Sequence, residues 1–565
     1  MKKNFYVLIP AAASMVLTGC SKFGNFTADM FNVTPTPLEC VGGQVPATVS
    51  ANIPAKVMPK KGIITCTPVL RYNGTESVGA GKTFQGEKIQ GNNTVISYKN
   101  GGASTMKINF PWKDGMESSE LYMTFVATKS GKSVELNDVK IDWGVQCTAN
   151  LVRNTVKSAN TGMAADQFQR IIAKKQEAQI KFLIGQANLR GSELNSNNIK
   201  EFIAQLKNIK ADEKGLKLNN VEVSSYASPD GAYDLNDKLA GNRGKNSESY
   251  VNQQLKKQKL SGDVDSKYTA EDWDGFKELV QQSNLQDKDV ILRVLSMYSD
   301  PEQREQEIKN ISSVYKELAD AVLPELRRSR LTINYDVIGR SDEEILAQFG
   351  EDASKLSVEE LLYAANKLTT DAAKKEAILK KTTELYANDY RAYNNLGELA
   401  YKKGDNAKAT EYFKKALSIN KNAAEPNVNL GLIALQSGDT KTAESYIAKG
   451  TSANNYDEAL GQLYIAQGKY SQATAKLADS YTNSAALASI MNKDYAKAKV
   501  ILNSIKNADA TTYYLAAVLG ARTNSSSEVK SNLQKAIAAD KSYIKKAATD
   551  AEFNKYAEVV AAIAK

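Results

Sequence analysis

The chemistry open to this chain is set first by a residue it lacks. None of its 565 residues is His. No Ser-His-Asp or Cys-His nucleophilic system can therefore be assembled, and no imidazole metal ligand exists. Four Cys are present, and Cys20 has a use of its own at the end of a leader, which removes a four-thiolate zinc site. No pair of carboxylates is set apart by its spacing. A catalytic residue, a metal and a cofactor are accordingly not expected, and what is left is recognition chemistry. Its residues gather between Val221 and Leu255. Val221 to Ala227 (VEVSSYA) alternates branched and small polar residues, as a half-buried strand does. Ser228, Pro229, Asp230 and Gly231 read as a turn. Beyond them Leu239, Tyr250, Val251 and Leu255 recur at roughly helical spacing. The polar candidates are thus a hydroxyl and a carboxylate in the turn (Ser228, Asp230), an amide at the head of the helix (Asn236) and a guanidinium further along it (Arg243).

This stretch resembles the signature of the OmpA-like peptidoglycan-binding family. That signature is a strand ending in G-x-T-D, a Gly-containing turn, an Asn, then L-S-x-x-R-A on a helix. The matching residues are Ser225-Tyr226-Ala227-Ser228, Gly231, Asn236, Leu239-Ala240 and Arg243-Gly244. The resemblance implies that a carboxylate holds the ammonium of meso-diaminopimelate in the wall stem peptide and that an Arg holds its carboxylate. Arg243 falls on the family Arg, whose planar fork suits bidentate bonds to carboxylate. The family Asp falls on Ser228, a neutral partner worth less than a charged one. Asp230 is a carboxylate two residues on, with turn formation as its other role. Asn236 is expected to cap or order the turn. Peptidoglycan is therefore one expected partner.

The elements that would position these residues span about 160–340. Asn160 to Ala178 has Phe168, Ile171, Ile172 and Ala178 at helical spacing and is expected to be a helical lead-in. Gln179 to Leu189 resembles the family's first strand and loop, Asn197 to Asn208 a helix, and Leu331 to Val337 the last strand after the basic run Leu326 to Arg330. The expected fold is an α/β sandwich with helices on one face of a mixed sheet. It is interrupted by a helical insertion over 268–321 carrying Trp273, Phe276 and Leu279, then Ile308, Ile311, Tyr315 and Leu318.

Met1 to Cys20 has a basic start at Lys2 and Lys3, and then a mostly apolar run too short to span a bilayer. Leu17-Thr18-Gly19-Cys20 resembles a bacterial lipobox, which implies lipidation at Cys20 after removal of 1–20. The neutral residues after Cys20 resemble the start of an outer-membrane lipoprotein. The absence of an acidic run argues against the surface-export signal of some Bacteroidetes lipoproteins. The expected location is the outer membrane, lipid-anchored and facing the periplasm. Residues 21–37 read as a tether.

Residues 38–151 are β-rich, with runs at Gly62–Leu70, Asn93–Tyr98 and Leu121–Ala127 separated by Gly, Asn and Asp clusters. An immunoglobulin-like antiparallel sandwich is expected. Its Cys40, Cys66 and Cys147 permit one disulfide and leave one thiol, with Cys40–Cys66 and Cys40–Cys147 the first pairings to consider and unpaired buried thiols the alternative.

From about 354 to 565 the chain repeats itself. Leu396-Gly397, Gly404-Asp405 and Ala409 recur 34 residues later as Leu430-Gly431, Gly438-Asp439 and Ala443. That period and small-residue pattern is that of tetratricopeptide repeats, an all-α solenoid. Gly468-Lys469-Tyr470 and Asn492 to Tyr495 mark further turns at shorter spacing. Such arrays take partner peptides or proteins on a concave face, so envelope proteins are the second expected partner. The net charge of +9 comes from basic residues spread along the chain. No basic stripe interleaves with aromatics, so nucleic acid is not expected.

Overall fold

The computed structural model describes residues 23–129, 131–285, 288–310 and 312–563. The leader and Cys20 lie outside the described residues. Among the described residues no helix is long and apolar enough to cross a membrane. The chain divides into two compact units. One comprises residues up to Ala165 together with Thr369 onward; the other is Asp166–Leu368. The expected three domains in tandem are therefore rearranged: sandwich and repeats share one unit, and the middle unit is inserted in its sequence.

The amino-terminal part is a β-sandwich. Phe31–Thr34, Gln44–Ile53 and Gly102–Pro111 form one antiparallel sheet. Gly62–Tyr72 lies between Glu120–Lys129 and Lys82–Gly86 in the other. Gln44–Ile53 alternates buried and outward residues along nearly its whole length, as a strand with one face on the core must. The tether expected over 21–37 is corrected. Phe26 stacks on Phe125 with ring centroids 4.6 Å apart, and Phe31–Thr34 pairs with Thr48–Ala51. Apolar residues here had a core to enter, so the segment is the first strand of the sandwich. Cys40, Cys66 and Cys147 are free thiols, so the bridge that their number permits is not formed. Burial pushes the Cys40 thiol up to about 11 and the Cys66 thiol up to about 12, which keeps both protonated and inert.

Repeats fill the carboxy-terminal part, in the stretch of the first unit that resumes at Thr369. Tyr390–Lys402 packs on Asn406–Ile419, and Ala424–Ser437 on Thr440–Ile447. The Gly-Asp turns work as two caps in sequence. Gly404 (φ 77°) ends one helix in the left-handed region, and Asp405 accepts from the Lys408 amide at 3.0 Å to start the next. Asp439 and Asp494 repeat the second contact with Thr442 and Lys497. Close helix approach explains Gly397: a Cβ there would lie 2.5 Å from the Phe413 ring.

The middle unit is a four-stranded mixed sheet in the spatial order Ile171–Lys181, Arg328–Ile338, Leu216–Tyr226, Asp263–Thr269. The last two are parallel and the other pairings antiparallel. Helices Asn197–Ala211 and Tyr233–Gln258 cover the apolar face through Phe202, Leu206, Val251 and Leu255, against Val221, Val223, Leu331 and Ile333. Two expectations are corrected. The helical lead-in over 160–178 is extended chain, followed by the strand Ile171–Lys181, because pairing with Arg328–Ile338 along the whole strand outweighs a helical spacing of four apolar residues. The insertion does not begin at 268: Asp263–Thr269 is a strand, and the inserted helices run from Trp273 to Leu326. Phe276, Val280, Ile291, Leu295, Leu318 and Leu323 give that insertion its own core.

Removing the ring that Gly397 accommodates tests the repeat packing. Phe413→Ala should cost about 3–5 kcal/mol, read in urea unfolding as early loss of helical circular dichroism.

Candidate functional site

Among the described residues, buried polar side chains gather around the Arg522–Glu552 pair and at two places with the donors and acceptors of a binding site. The first of these two is the strand-turn-helix of the middle unit. Strand Leu216–Tyr226 ends at Ala227, whose amide bonds Thr269 and whose carbonyl accepts from the Asp272 amide. Ser228 and Asp230 therefore emerge beside the root of the inserted helices. Asn236, in the first turn of helix Tyr233–Gln258, donates to the Gly231 carbonyl at 2.9 Å and so closes the turn. Seven residues later Arg243 faces inward and is 1% exposed.

Each guanidinium nitrogen of Arg243 already has a backbone acceptor. Nε donates to the Gln186 carbonyl at 3.0 Å, Nη1 to Tyr226 at 2.9 Å and Nη2 to Leu183 at 3.3 Å. The Phe182 ring lies 5.1 Å away. These bonds tie the loop after the first strand to the end of the second. Burial and the nearby Arg327 pull the Arg243 guanidinium down to about 10, while Asp230 opposes them. Asp230 is itself engaged: Arg327 Nη2 reaches its Oδ2 at 2.8 Å, Ser228 donates to its other oxygen, and Arg327 Nε reaches the Ser228 hydroxyl at 3.1 Å. A second buried pair, Arg328 with Asp272 at 3.1 Å, lies alongside. The four named residues are thus brought to one place, but Ser228 and Asp230 are spent on each other and on Arg327, which the spacing did not single out, while Asn236 and Arg243 are spent on backbone carbonyls. Arg327 alone pairs with Asp230, and the Arg243 guanidinium lies near enough to feel both charges without bonding to either. The cavity over Asp230 is about 10 Å³ and is roofed by Trp273, Phe276, Leu318 and Leu323 of the insertion; that is room for about one water. Around it the exposed apolar side chains are Leu183, Ile184, Tyr233, Leu235 and Tyr268.

The second place is the inner face of the repeats, and it is occupied by the chain itself. Thr148–Ser158 forms short helical turns whose Leu151, Val152 and Val156 join the repeat core. Residues 159–165 then run without regular structure past a row of buried asparagines. Asn429 accepts from the Gly162 amide at 2.7 Å and donates to its carbonyl at 2.8 Å. Asn395 does the same for Ala164, at 2.8 and 2.9 Å. Asn394 adds a bond to the Gly162 carbonyl at 2.8 Å, and Asn455 one to the Asn160 carbonyl at 2.9 Å. Tyr401 donates to the Val156 carbonyl, and Ser484 to the Thr155 hydroxyl at 2.9 Å. Sequence reasoning missed this row, although a signal existed. Asn395 and Asn429 stand 34 residues apart, one repeat, in helices that also bury Asn394, Glu398 and Asn427.

Residues 390–423 match the tetratricopeptide repeat family. A tetratricopeptide repeat protein from Parabacteroides merdae is 15% identical, with a TM-score of 0.28, over 40% of this chain and 89% of that one. The type IV pilus biogenesis factor PilW is 16% identical, with a TM-score of 0.26, over 38% and 99%. YrrB, a tetratricopeptide repeat protein described as having an unusual peptide-binding site, is 19% identical, with a TM-score of 0.22, over 36% and 96%. Among curated proteins nothing matches the chain.

The role of Arg243 can be read from stability. Arg243→Met strands three carbonyls that it now satisfies and should cost about 3 kcal/mol, measured as a lowered unfolding midpoint without any ligand present. A variant as stable as the parent would show instead that the guanidinium is held free for a ligand.

Proposed function

We propose that this chain is a non-enzymatic scaffold of the cell envelope, anchored by lipid at Cys20 in the periplasmic leaflet of the outer membrane. Its middle unit is read as a divergent OmpA-like domain that docks proteins. Its tetratricopeptide repeats mark it as a protein-interaction scaffold. The observation that carries the docking reading is the closure of the strand-turn-helix cluster. Arg243 spends its donors on backbone carbonyls, Asp230 is held by Arg327, and inserted helices roof the space where a stem peptide would lie. Exposed Leu183 and Ile184 on the loop after the first strand, Tyr233 and Leu235 at the head of the helix, and Tyr268 on strand Asp263–Thr269 supply apolar contact area, of the kind that marks protein interaction. An accessory role in outer-membrane assembly or secretion fits such a module. The complete absence of His supports the non-enzymatic reading.

Wall binding is the second reading, and the excess positive charge of Arg243 and Arg327 over Asp230 favours it, since stem peptides present carboxylates. The two readings separate in a pelleting assay. Protein lacking residues 1–20 is mixed with insoluble peptidoglycan and spun. Docking predicts that it stays in the supernatant; a pellet that Arg243→Ala empties would establish wall binding instead. A muropeptide digest should be unchanged by the protein, and released fragments would reverse the non-enzymatic reading. For the anchor, Cys20→Ala should move the protein from the membrane fraction to the soluble fraction, and retention in the membrane would refute lipidation.

A further inference from the structure

The asparagine row has the geometry of a peptide site. Asn429 and Asn395 each give one residue of the threaded segment both a donor and an acceptor, as a neighbouring strand would. They occupy equivalent positions in consecutive repeats, and they take residues two apart, Gly162 and Ala164. Asn455, at the head of the next inner helix, adds a single donor bond to the Asn160 carbonyl, two residues further back. A strand alternates its faces every residue, so a step of two presents the same edge to each repeat. These bonds go to the backbone, which makes the site indifferent to most side chains. It is strict at one point: a Cβ on residue 162 would lie 2.7 Å from Asn455 Oδ1 and 3.2 Å from Glu425 Cβ. The ligand class is therefore an extended peptide with glycine at the central rung. Asn160, Thr161, Gly162, Met163 and Ala164 meet that description in cis.

We infer that Asn160–Ala164 is a built-in plug of a backbone-reading peptide site formed by Asn395, Asn429 and Asn455. The repeat groove is shut to partner peptides while the plug is seated. An extended peptide with the same central glycine enters only by exchange with it. The inference concerns the groove alone and is independent of the lipid anchor and of the middle unit's ligand.

The test uses the full-length protein in detergent and a fluorescein-labelled peptide of residues 157–165 (KSANTGMAA). Gly162→Val unseats the plug and leaves the row intact; Ala164→Pro deletes one plug N–H and is the second route to the same state. Either variant should bind the peptide at least tenfold more tightly than the parent. Adding Asn395→Ala and Asn429→Ala should abolish that gain. Equal binding by parent and plug variants, no binding by either plug variant, or binding that survives loss of both asparagines would each overturn the inference. Amide exchange gives a check that needs no variant to be well folded. In the parent, Gly162 and Ala164 should exchange as slowly as the repeat helices, and exchange at free-peptide rates would overturn the plug.

Discussion

An extended chain buried among helices has no sheet neighbour to take its hydrogen bonds. Every N–H and C=O it carries into the interior still needs a partner. Residues 161–164 are in that position, and side-chain amides act in place of a missing strand. Asn suits this role because its planar amide offers a donor and an acceptor side by side, without the desolvation cost of a charge. Much of the first unit follows from this arrangement. The segment joins the sandwich to the repeats inside one compact unit, and the chain then leaves at Ala165 and returns at Thr369 with the middle unit between. Covalently the protein is three modules in a row; by contact it is two.

The same constraint decides what Arg243 does. A guanidinium with five N–H donors can serve a ligand carboxylate or the backbone. Here the loop Leu183–Gln186 and the end of strand Leu216–Tyr226 present carbonyls to it from two sides. The net value of each such bond is modest, but leaving a buried acceptor unpaired is costly, so the guanidinium is held as a tie between elements. Asp230 follows the same logic with Arg327. A sequence motif records which residue types are present at a spacing. It does not record whether their donors are already committed.

What was legible in the sequence was what depends on local periodicity. The 34-residue recurrence of Leu-Gly, Gly-Asp and Ala located the repeats, because each of those residues answers a local demand: a close helix crossing, a left-handed turn and a helix cap. The strand before Ser228 and the helix after it were readable for the same reason. Strand Asp263–Thr269 was not. Its residues are mostly exposed and polar, and its strand character comes from parallel pairing with Asn220–Tyr226, a partner that local pattern does not announce. Ile171 and Ile172 misled in the opposite direction: their spacing suits a helix, yet both stay exposed on a strand paired along its whole length. The commitment of Arg243 depends on carbonyls some sixty residues upstream, beyond the reach of any window.

The decay of the repeat pattern toward the carboxy terminus has a physical reading in what each helix faces. Where the threaded segment is extended, the inner helices carry amides: Asn394 and Asn395 in Tyr390–Lys402, Asn429 in Ala424–Ser437. Where it is helical, over 148–158, most of its backbone needs are met within itself, and it offers apolar side chains instead. The inner helices it touches change accordingly. Asn483–Met491 reads NSAALASIM, with Ala485, Ala486 and Ala488 fully or almost fully buried in the cluster that holds Leu151, Val152 and Val156. Small apolar residues let a helix approach closely, whereas an extended strand demands hydrogen-bonding partners. Polar contact does not vanish there, since Ser484 still donates to the Thr155 hydroxyl, but among the described residues the amide pairs that serve a backbone N–H and C=O together are found only against the extended residues.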